Sequence, residues 1–448
     1  MNHYFQKTIA ELDSLAIVMI CLIVYIGTCV LSFASRYMKG DTKYQTFVVH
    51  LIALIGSSVV MVSAKDLIVL LIASCLSHFI LVRLMIHKAS WKAAQASGKL
   101  AAKNYLISNL CLILAFTIFY LTTGQTRIDQ VIEHSHDSRA SFVALILLLI
   151  ASMSQSAIYP FHKWLISSLN SPTPVSAMMH AGLINGGGFL LTRFSPLYLK
   201  HPHFMTFIFS IGILTAALGT LWKLMQSDIK RMLACSTLGQ MGFMFVQCGL
   251  GLFPLAIAHL FWHGLFKASL FLSSGSAAQD KRFDEFYQPK FSVFIVALFC
   301  ALLGTLAFAF GSGKSWLVAD STLVLMFIVL VAGLQLSFAI LSSLTIKRIL
   351  FSFFVNLVTG FVYGGSVQLI ARFMLPMKIN QPQPLNGFHL LGIAILILSW
   401  VFVFLMDTLS KKRLSTHKFW MKGYVKALND SQPHPKTITS HRNHYKAQ

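Results

Sequence analysis

The sequence predicts an all-α, polytopic membrane protein of about 13 transmembrane helices, at least one of them broken. Of the 448 residues, 56% are hydrophobic and only 11% are charged, whereas soluble proteins average about 25% charged residues. Apolar stretches repeatedly approach the roughly 20 residues that cross about 30 Å of hydrocarbon. One of these stretches contains Pro172, Pro174 and His180. An interrupted helix is stable in lipid only where protein or a water-filled cavity provides hydrogen-bond partners for its free backbone groups. This motif is therefore a candidate transport element.

The predicted spans are separated by mostly short polar loops. The first apolar run follows no basic segment and no small-residue cleavage site, so we expect a first span rather than a cleaved signal peptide. The thirteen predicted spans are 13–33, 46–63, 67–86, 104–122, 140–158, 173–192, 204–222, 232–249, 252–275, 291–311, 321–343, 350–371 and 386–406.

The charges predict an orientation. If the spans alternate, 25 of the 36 Lys and Arg residues fall in loops on one side of the membrane and 9 on the other. By the positive-inside rule, this asymmetry places the N-terminus outside and the C-terminus in the cytoplasm. The net charge of +22 is therefore attributed to membrane topology and lipid headgroups, and not to nucleic acid.

The organisation predicted is a transmembrane domain over 1–406 and a basic cytoplasmic tail over 407–448. We expect a solvated, partly disordered tail near anionic headgroups, and the alternative is a segment that docks a soluble partner. The seven cysteines all lie in apolar spans and form no C-x-x-C pair, so they are interpreted as small buried hydrophobic residues and not as redox or metal sites. No metal, cofactor or catalytic residue is predicted in this chain, and we expect it not to be an enzyme.

The ionisable residues inside the spans are basic or imidazole, since all fourteen carboxylates fall in loops or at span ends. A charge at mid-bilayer costs at least about 2.5 to 3.5 kcal/mol on insertion scales, so several in one bundle indicate function. The residues predicted to be buried are His78, Arg83, His180, His259, His263 and Lys267, with Lys230 just inside the start of a span.

His259, His263 and Lys267 recur every fourth residue and should line one helix face. An imidazole can both donate and accept, and a desolvated lysine can exchange its proton, so this stripe predicts a proton or ion pathway. One alternative is structural hydrogen bonding between helices. A zinc site is disfavoured because the H-x-x-x-H spacing lacks the glutamate of a metalloprotease helix.

Other polar and small residues allow two interpretations. Gln335, Asn356 and Gln368 could hydrate a second pathway or join helices by hydrogen bonds. The run Gly186–Gly188 predicts close helix packing or local unwinding, and no strand or Lys-Ser/Thr sequence supports a phosphate loop.

Four motifs resemble the antiporter-like subunits of respiratory complex I and of multisubunit cation/proton antiporters. Within that superfamily, Ser77-His78, the run from His180 to Leu197 and the tail segment 424–429 are most similar to the DabB family of inorganic carbon transport subunits. The four motifs are PTPVSAMMHA at 172–181, DIKRMLACST at 228–237, QMGFM at 240–244 and HLFWHGLFKASLFLSSGS at 259–276.

The resemblance implies which residues form the central hydrophilic axis. The superfamily usually pairs a glutamate in an early span with a lysine on the helix before the PTPVSA element, but Leu71 and Gln155 occupy these positions here. Because both charged partners are absent, no buried charge is left without its opposite charge. Their absence implies a passive or one-way conduit instead of a redox-driven pump. The implied pathway residues are His180, Lys230, His259, His263 and Lys267, and the secondary candidates are His78, Gln155, Asn185 and Gln335.

The resemblance also implies a partner and a location. DabB-type subunits work with a large soluble DabA subunit that resembles a zinc β-carbonic anhydrase. The expected role is therefore the membrane subunit of an inorganic carbon pump in a bacterial cytoplasmic membrane, with zinc held by the partner. The alternatives are a proton-translocating subunit of complex I, a membrane hydrogenase or an antiporter, and a non-conducting membrane anchor.

Overall fold

The computed structural model describes residues 12–275, 291–314, 318–410 and 418–438. The described residues are predominantly helical. The helices of the first half are α1 (Ser14–Tyr37), α2 (Tyr44–Ser63), α3 (Leu67–Met85), α4 (Lys92–Thr123), α5 (Ile128–His134), α6 (Arg139–Gln155), α7 (Lys163–Ile166), α8 (Thr173–Ala181), α9 (Gly186–Arg193) and α10 (Ser195–Leu199). Those of the second half are α11 (Pro202–Leu224), α12 (Ile229–Gly249), α13 (Phe253–Leu272), α14 (Phe291–Ser312), α15 (Thr322–Ile340), α16 (Ile346–Phe373), α17 (Gly387–Ser410) and α18 (Lys418–Ser431).

Nine helices within these described ranges are long and apolar enough to cross a membrane, namely α1–α4, α11 and α13–α16. Shorter apolar helices occur at Arg139–Gln155 and Gly387–Ser399. The broken pair α8 and α9, together with α12, occupies the two remaining predicted spans. The prediction of an all-α, multi-pass membrane protein with about 13 spans is therefore confirmed.

The interruption in the predicted span 173–192 lies after His180 and not at the prolines. Pro172 is the N-cap of α8 and Pro174 lies in its first turn, where a missing N–H costs nothing because that donor has no helical partner. Helix α8 ends at Ala181 with Gly182 as its C-cap, a 3₁₀ turn covers Leu183–Asn185, and α9 then continues to Arg193. The prolines thus begin the helix that carries His180, and the break follows it.

Side chains satisfy the backbone carbonyls exposed by this break. Asn185 Nδ2 donates to the Ala181 carbonyl at 2.9 Å, and Ser156 Oγ donates to the Ile184 carbonyl at 2.7 Å. Such bonds are required because an unpaired carbonyl in hydrocarbon costs several kcal/mol. The broken helix is therefore held in place by protein contacts.

Glycines bring the helices around the break into close contact. A Cβ on Gly187 would lie 2.1 Å from the Ser152 carbonyl oxygen of α6, and one on Gly188 would lie 2.7 Å from Met244 Sδ of α12. Small residues also join α11 to α12, where a Cβ on Gly219 would meet the Gly239 nitrogen at 2.3 Å. The Gly186–Gly188 run thus serves close packing, one of the two predicted interpretations.

The described part of the tail is folded against the membrane domain. Helix α17 extends to Ser410, past the predicted boundary at 406. Residues 421–426 of α18 are exposed, whereas Ser431 at its end and Thr437 beyond it are buried. The hydrogen bonds of residues 430–437 include bonds to the segment 163–170 and to Arg231, and Pro435–Thr437 also packs against α4.

Candidate ion pathway

The centre of the site is formed by α8, α12 and α13. On α13, His259, His263 and Lys267 lie on one inward face, while Trp262 and Phe266 on the other face are exposed. The His259 and His263 rings are nearly parallel with centroids 6.1 Å apart. The four-residue spacing therefore produces the polar stripe that the sequence predicts.

Two neighbouring hydroxyls of α12 connect this stripe to the broken helix. Lys267 is 1% exposed, and its Nζ donates to Ser236 Oγ at 2.7 Å. His180 Nδ1 lies 3.2 Å from Thr237 Oγ1, and its ring stacks on Phe271 of α13 with centroids 4.3 Å apart. His180 and Lys267 are thus bridged by consecutive residues of one helix.

The titratable groups lie within electrostatic reach of one another. His180 interacts with Lys267 and Lys230, and His263 interacts with His259, Lys267 and His180. Neither ring nitrogen of His263 has a protein hydrogen-bond partner among the described residues. Buried polar atoms are normally paired, so these nitrogens are available to a water molecule or a transferred proton.

Lys230 lies at the edge of this cluster, at the start of α12. It is half-buried, and its Nζ is 3.5 Å from the Ser171 carbonyl just before α8. Thr173 Oγ1 donates to the Tyr37 hydroxyl at 3.3 Å nearby. Lys230 therefore lies on the side of the cluster at which α8 begins.

A second polar cluster forms around α4 and contains two of the secondary candidates. His78 Nδ1 lies 2.9 Å from Asn109 Oδ1, and its ring stacks on Tyr105 at 4.1 Å. Gln155 is buried and donates to Ser108 Oγ at 3.0 Å. The neutral amide at this position is thus hydrogen-bonded to a neutral hydroxyl.

The remaining candidates lie in different surroundings. Asn185 is fully buried at the helix break, and its Oδ1 has no protein partner among the described residues. Gln335 is exposed on α15, so the structure does not bring it to either cluster. Asn356 is buried and donates to Ser337 Oγ at 3.0 Å, which joins α16 to α15. Leu71 is a half-buried apolar residue that packs against the main core.

Two basic residues differ from the sequence prediction. Arg83, predicted to be buried, is exposed in the last turn of α3, where its long side chain can extend toward the membrane surface. Arg193, not singled out from the sequence, is 6% exposed and forms an ion pair with Asp13. It also donates to the Val62 carbonyl at 3.0 Å and fixes α9 to the ends of α1 and α2. Because Asp13 and Arg193 are 180 residues apart, no local pattern in the sequence indicates that they form an ion pair.

Other partners were also missed from the sequence. Ser236 and Thr237 are the important ones, because they pair with Lys267 and His180. They follow Cys235 directly in the motif DIKRMLACST, which indicates a family resemblance but not these two pairings. Among the described residues, no group of three or more His, Cys, Asp or Glu is arranged to hold a metal.

Comparison with known families matches most of the chain. Residues 64–346 match the membrane domain of the NADH:quinone oxidoreductase/Mrp antiporter family. Residues 8–48 match the N-terminal region of chain 5 of NADH-ubiquinone oxidoreductase (complex I).

Similar curated proteins include three described as inorganic carbon transporter subunits or quinone oxidoreductase subunits. The probable subunit DabB1 of Halothiobacillus neapolitanus is 35% identical over 60% of this chain and 50% of its own length. The probable subunit DabB of Bacillus subtilis is 36% identical over 60% of this chain and 54% of its own length. Subunit 5 of the chloroplast NAD(P)H-quinone oxidoreductase of Piper cenocladum is 34% identical over 59% of this chain and 37% of its own length.

The chain thus spans about half the length of the curated DabB relatives that it matches. A solved structure, the Mrp complex of Dietzia sp. DQ12-45-1b, has the same fold, with a TM-score of 0.61 at 21% identity. The match covers 92% of this chain and 51% of the Mrp chain.

Proposed function

Because this chain belongs to the membrane-subunit family shared by NADH:quinone oxidoreductase and the Mrp antiporters, we propose that it conducts protons as the membrane subunit of an inorganic carbon pump. The single observation that carries the proposal is the buried cluster of His180, His263 and Lys267, in which the neighbouring residues Thr237 and Ser236 pair with His180 and Lys267. The similarity to DabB proteins supports the substrate class.

The chemistry of the cluster favours protons over sodium ions. Sodium is a hard cation that prefers oxygen ligands, carboxylates above all, and no carboxylate lies at the centre of any predicted span. The cluster instead offers imidazole nitrogens and an amine, which exchange protons. Buried groups of this kind in a membrane helix typically mark a proton relay.

A proton would pass along α13. Lys230 receives it near the start of α8, and Lys267 and His180 form the next step. His263 and His259 then continue the path, and a water molecule between the two rings would cover the 6.1 Å between their centroids. Loss of the acid at Leu71 and the amine at Gln155 leaves no buried ion pair to act as a switch there, which favours a one-way conduit over a redox-driven pump.

The partner in this proposal is a large soluble DabA-like subunit with a zinc site, located in the cytoplasm of a bacterial cell. Proton entry would bias the partner toward hydration of CO₂ to bicarbonate. The basic loops and tail would face the cytoplasm, and the N-terminus would lie outside. The carbonic chemistry and the zinc would both belong to the partner.

Co-expression tests this function directly. Cells that lack carbonic anhydrase should grow in ambient air when they produce this chain together with its DabA-like partner, and neither protein alone should suffice. Failure to grow, with the assembled complex present in the membrane, would contradict the proposal.

A second candidate is a proton-translocating subunit of a quinone-linked complex or an antiporter. The match over 92% of the chain to an Mrp structure and the similarity to chloroplast subunit 5 favour it. Purification with iron–sulfur or quinone-linked subunits, or sodium/proton exchange in vesicles, would support this candidate over the carbon pump. A non-conducting anchor remains distinguishable, because it would keep full activity when Lys267 is replaced.

A further inference from the structure

The segment Asp430–Thr437, here called the latch, is hydrogen-bonded to the segment that leads into α8. Lys163 Nζ donates to the Asp430 carbonyl at 2.7 Å. The His434 amide donates to Ser167 Oγ at 2.9 Å. Asn170 Nδ2 donates to the Thr437 carbonyl at 2.7 Å. Three contacts with residues 267 positions away in sequence thus hold one face of the segment 163–170.

The Lys163 contact is a strong one for physical reasons. Asp430 lies in the last turn of α18, where helix carbonyls lack intrahelical partners and the helix dipole is negative. Burial lowers the pKa of Lys163, and the nearby charge of Asp430 opposes this effect. A charged donor on such a carbonyl is worth more than a neutral hydrogen bond, so this contact anchors the latch.

The other face of the segment 163–170 is tied to the membrane helices. Ser97 Oγ of α4 donates to the Ser167 carbonyl at 2.7 Å and also accepts from Asn170 at 3.1 Å. One residue after this segment, the Ser171 carbonyl lies 3.5 Å from Lys230 Nζ. Consecutive contacts thus connect the latch, the segment 163–170 and Lys230.

The latch also contacts α12 itself. Arg231 Nη1 donates to Gln432 Oε1 at 3.2 Å, directly beside Lys230. Ser431, Pro433 and Thr437 are buried against the bundle, so the latch covers this part of the surface. A displacement of the latch would therefore remove contacts from both the segment before α8 and the first turn of α12.

We propose that the latch gates the ion pathway: when engaged, it holds the entrance at Ser171 and Lys230 closed, and its release by an assembled partner opens the entrance. This inference rests on the proposed proton conduction and adds its regulation. A conduit without a gate would dissipate the gradient whenever the subunit lacked its partner, and the latch contacts both the segment before α8 and the first turn of α12. Because the latch contacts rest on a few hydrogen bonds, the engaged and released states can be close in free energy.

A reversible crosslink tests the closed state. The double variant Ser167→Cys with His434→Cys introduces thiols on the two residues that are joined by the 2.9 Å contact between the His434 backbone amide and the Ser167 hydroxyl. The complex with its partner is reconstituted in proteoliposomes, and proton uptake is measured after oxidation and again after reduction. We expect oxidation to lower uptake at least tenfold and reduction to restore it; equal uptake in both states would overturn the proposal. Each single-cysteine variant controls for effects of oxidation elsewhere.

A loosened latch tests the opposite direction in the subunit without its partner. The double variant Lys163→Met with Asn170→Ala removes two latch contacts and should raise the passive proton leak at least threefold. Lys99→Met, an exposed lysine on α4, is the matched control and should leave the leak unchanged. A leak equal to that of the unmodified chain would contradict the gate.

The same vesicles separate this proposal from the one on which it rests. If Lys267→Met abolishes uptake while the crosslink has no effect, conduction stands and the gate is rejected. If Lys267→Met conducts normally, the proposed pathway itself fails, and the gate fails with it.

Discussion

At the scale of single residues, the partners of the titratable groups determine what those groups can do. Thr237 accepts a hydrogen bond from the broken helix at His180 and is itself bonded to the Leu233 carbonyl one turn earlier. Because the single hydroxyl proton of Thr237 is donated to the Leu233 carbonyl, the hydroxyl accepts from His180 Nδ1–H and holds the proton of the neutral imidazole on that nitrogen. We therefore regard Thr237 as a positioning residue.

Thr237→Val should slow proton uptake about three- to tenfold and leave assembly intact. The change keeps the shape of the side chain and removes one hydrogen bond to His180, which is worth about 0.5 to 1.5 kcal/mol. Proteoliposome uptake against pH measures this effect, since a lost partner also shifts the pH profile. Thr220→Val is the matched control, because Thr220 has the same bond to the carbonyl four residues earlier but is exposed. An unchanged rate and profile in Thr237→Val would exclude the positioning role.

Because His162 is buried, we expect its contribution to the stability of the folded protein to depend on pH. It is 4% exposed, and burial followed by the charge of Lys163 lowers its pKa to about 4. Its unfolded-state pKa is about 6.5, so the unfolded chain binds the extra proton first, and the contribution is lost as pH falls from about 6.5 toward 4.

The variant His162→Phe should therefore reduce the fall in Tm between pH 7 and pH 5, as measured by thermal unfolding in detergent. His136→Phe changes an exposed histidine and should keep the pH dependence of the unmodified chain. If both variants lose Tm equally between the two pH values, His162 does not titrate as described.

At the scale of helices, the packing around the break sets where side chains can be placed. Gly187→Ala should destabilise the protein by about 1–3 kcal/mol, because the new Cβ would meet the Ser152 carbonyl oxygen at 2.1 Å and overpacking costs energy of this order. The yield of folded protein and its Tm in detergent measure the effect. Gly365→Ala on α16 is the control, since nothing lies within 4 Å of its Cβ, and alanine is the better helix former there. Equal Tm values for the two variants would contradict the packing described.

The helices also show which features could be predicted from sequence. The polar stripe of α13 was predictable because a four-residue spacing fixes the face of a helix, and the structure places all three side chains on it. The position of the break could not be predicted, because Pro172 and Pro174 are as compatible with the start of a helix as with an interruption. The interruption at 182–185 depends on Ser156 and Asn185, which bond its carbonyls. Only one of these two residues was a candidate, since tertiary contacts leave no local pattern.

At the scale of the whole molecule, the fold class followed from span length and composition, whereas the contacts of residues 430–437 could not be predicted from the sequence. The basic composition of 407–448 predicted a solvated arm or a docking segment, but residues 430–437 are bonded to the segment before α8. Those bonds join residues 267 positions apart and use backbone groups, which every residue carries. Charge patterning therefore could not reveal the latch.

Orientation is a whole-molecule prediction that labelling can test. Glu133→Cys, exposed in the structure, should react with a membrane-impermeant maleimide in intact cells. Lys347→Cys, also exposed, should react only after the cytoplasmic membrane is permeabilised, because 25 of the 36 Lys and Arg residues share its side of the predicted topology. The reverse pattern would place the basic loops and the latch outside the cell and would exclude docking of a cytoplasmic partner on them.

Proton uptake by proteoliposomes is the most direct test of whether protons cross this bundle through the cluster at Lys267. The complex containing Lys267→Met is compared with one containing Lys347→Met, which changes an exposed lysine. We predict that Lys267→Met assembles normally and loses at least tenfold in uptake, while Lys347→Met retains full uptake. Undiminished proton uptake by the assembled Lys267→Met complex would mean that protons do not pass through this cluster.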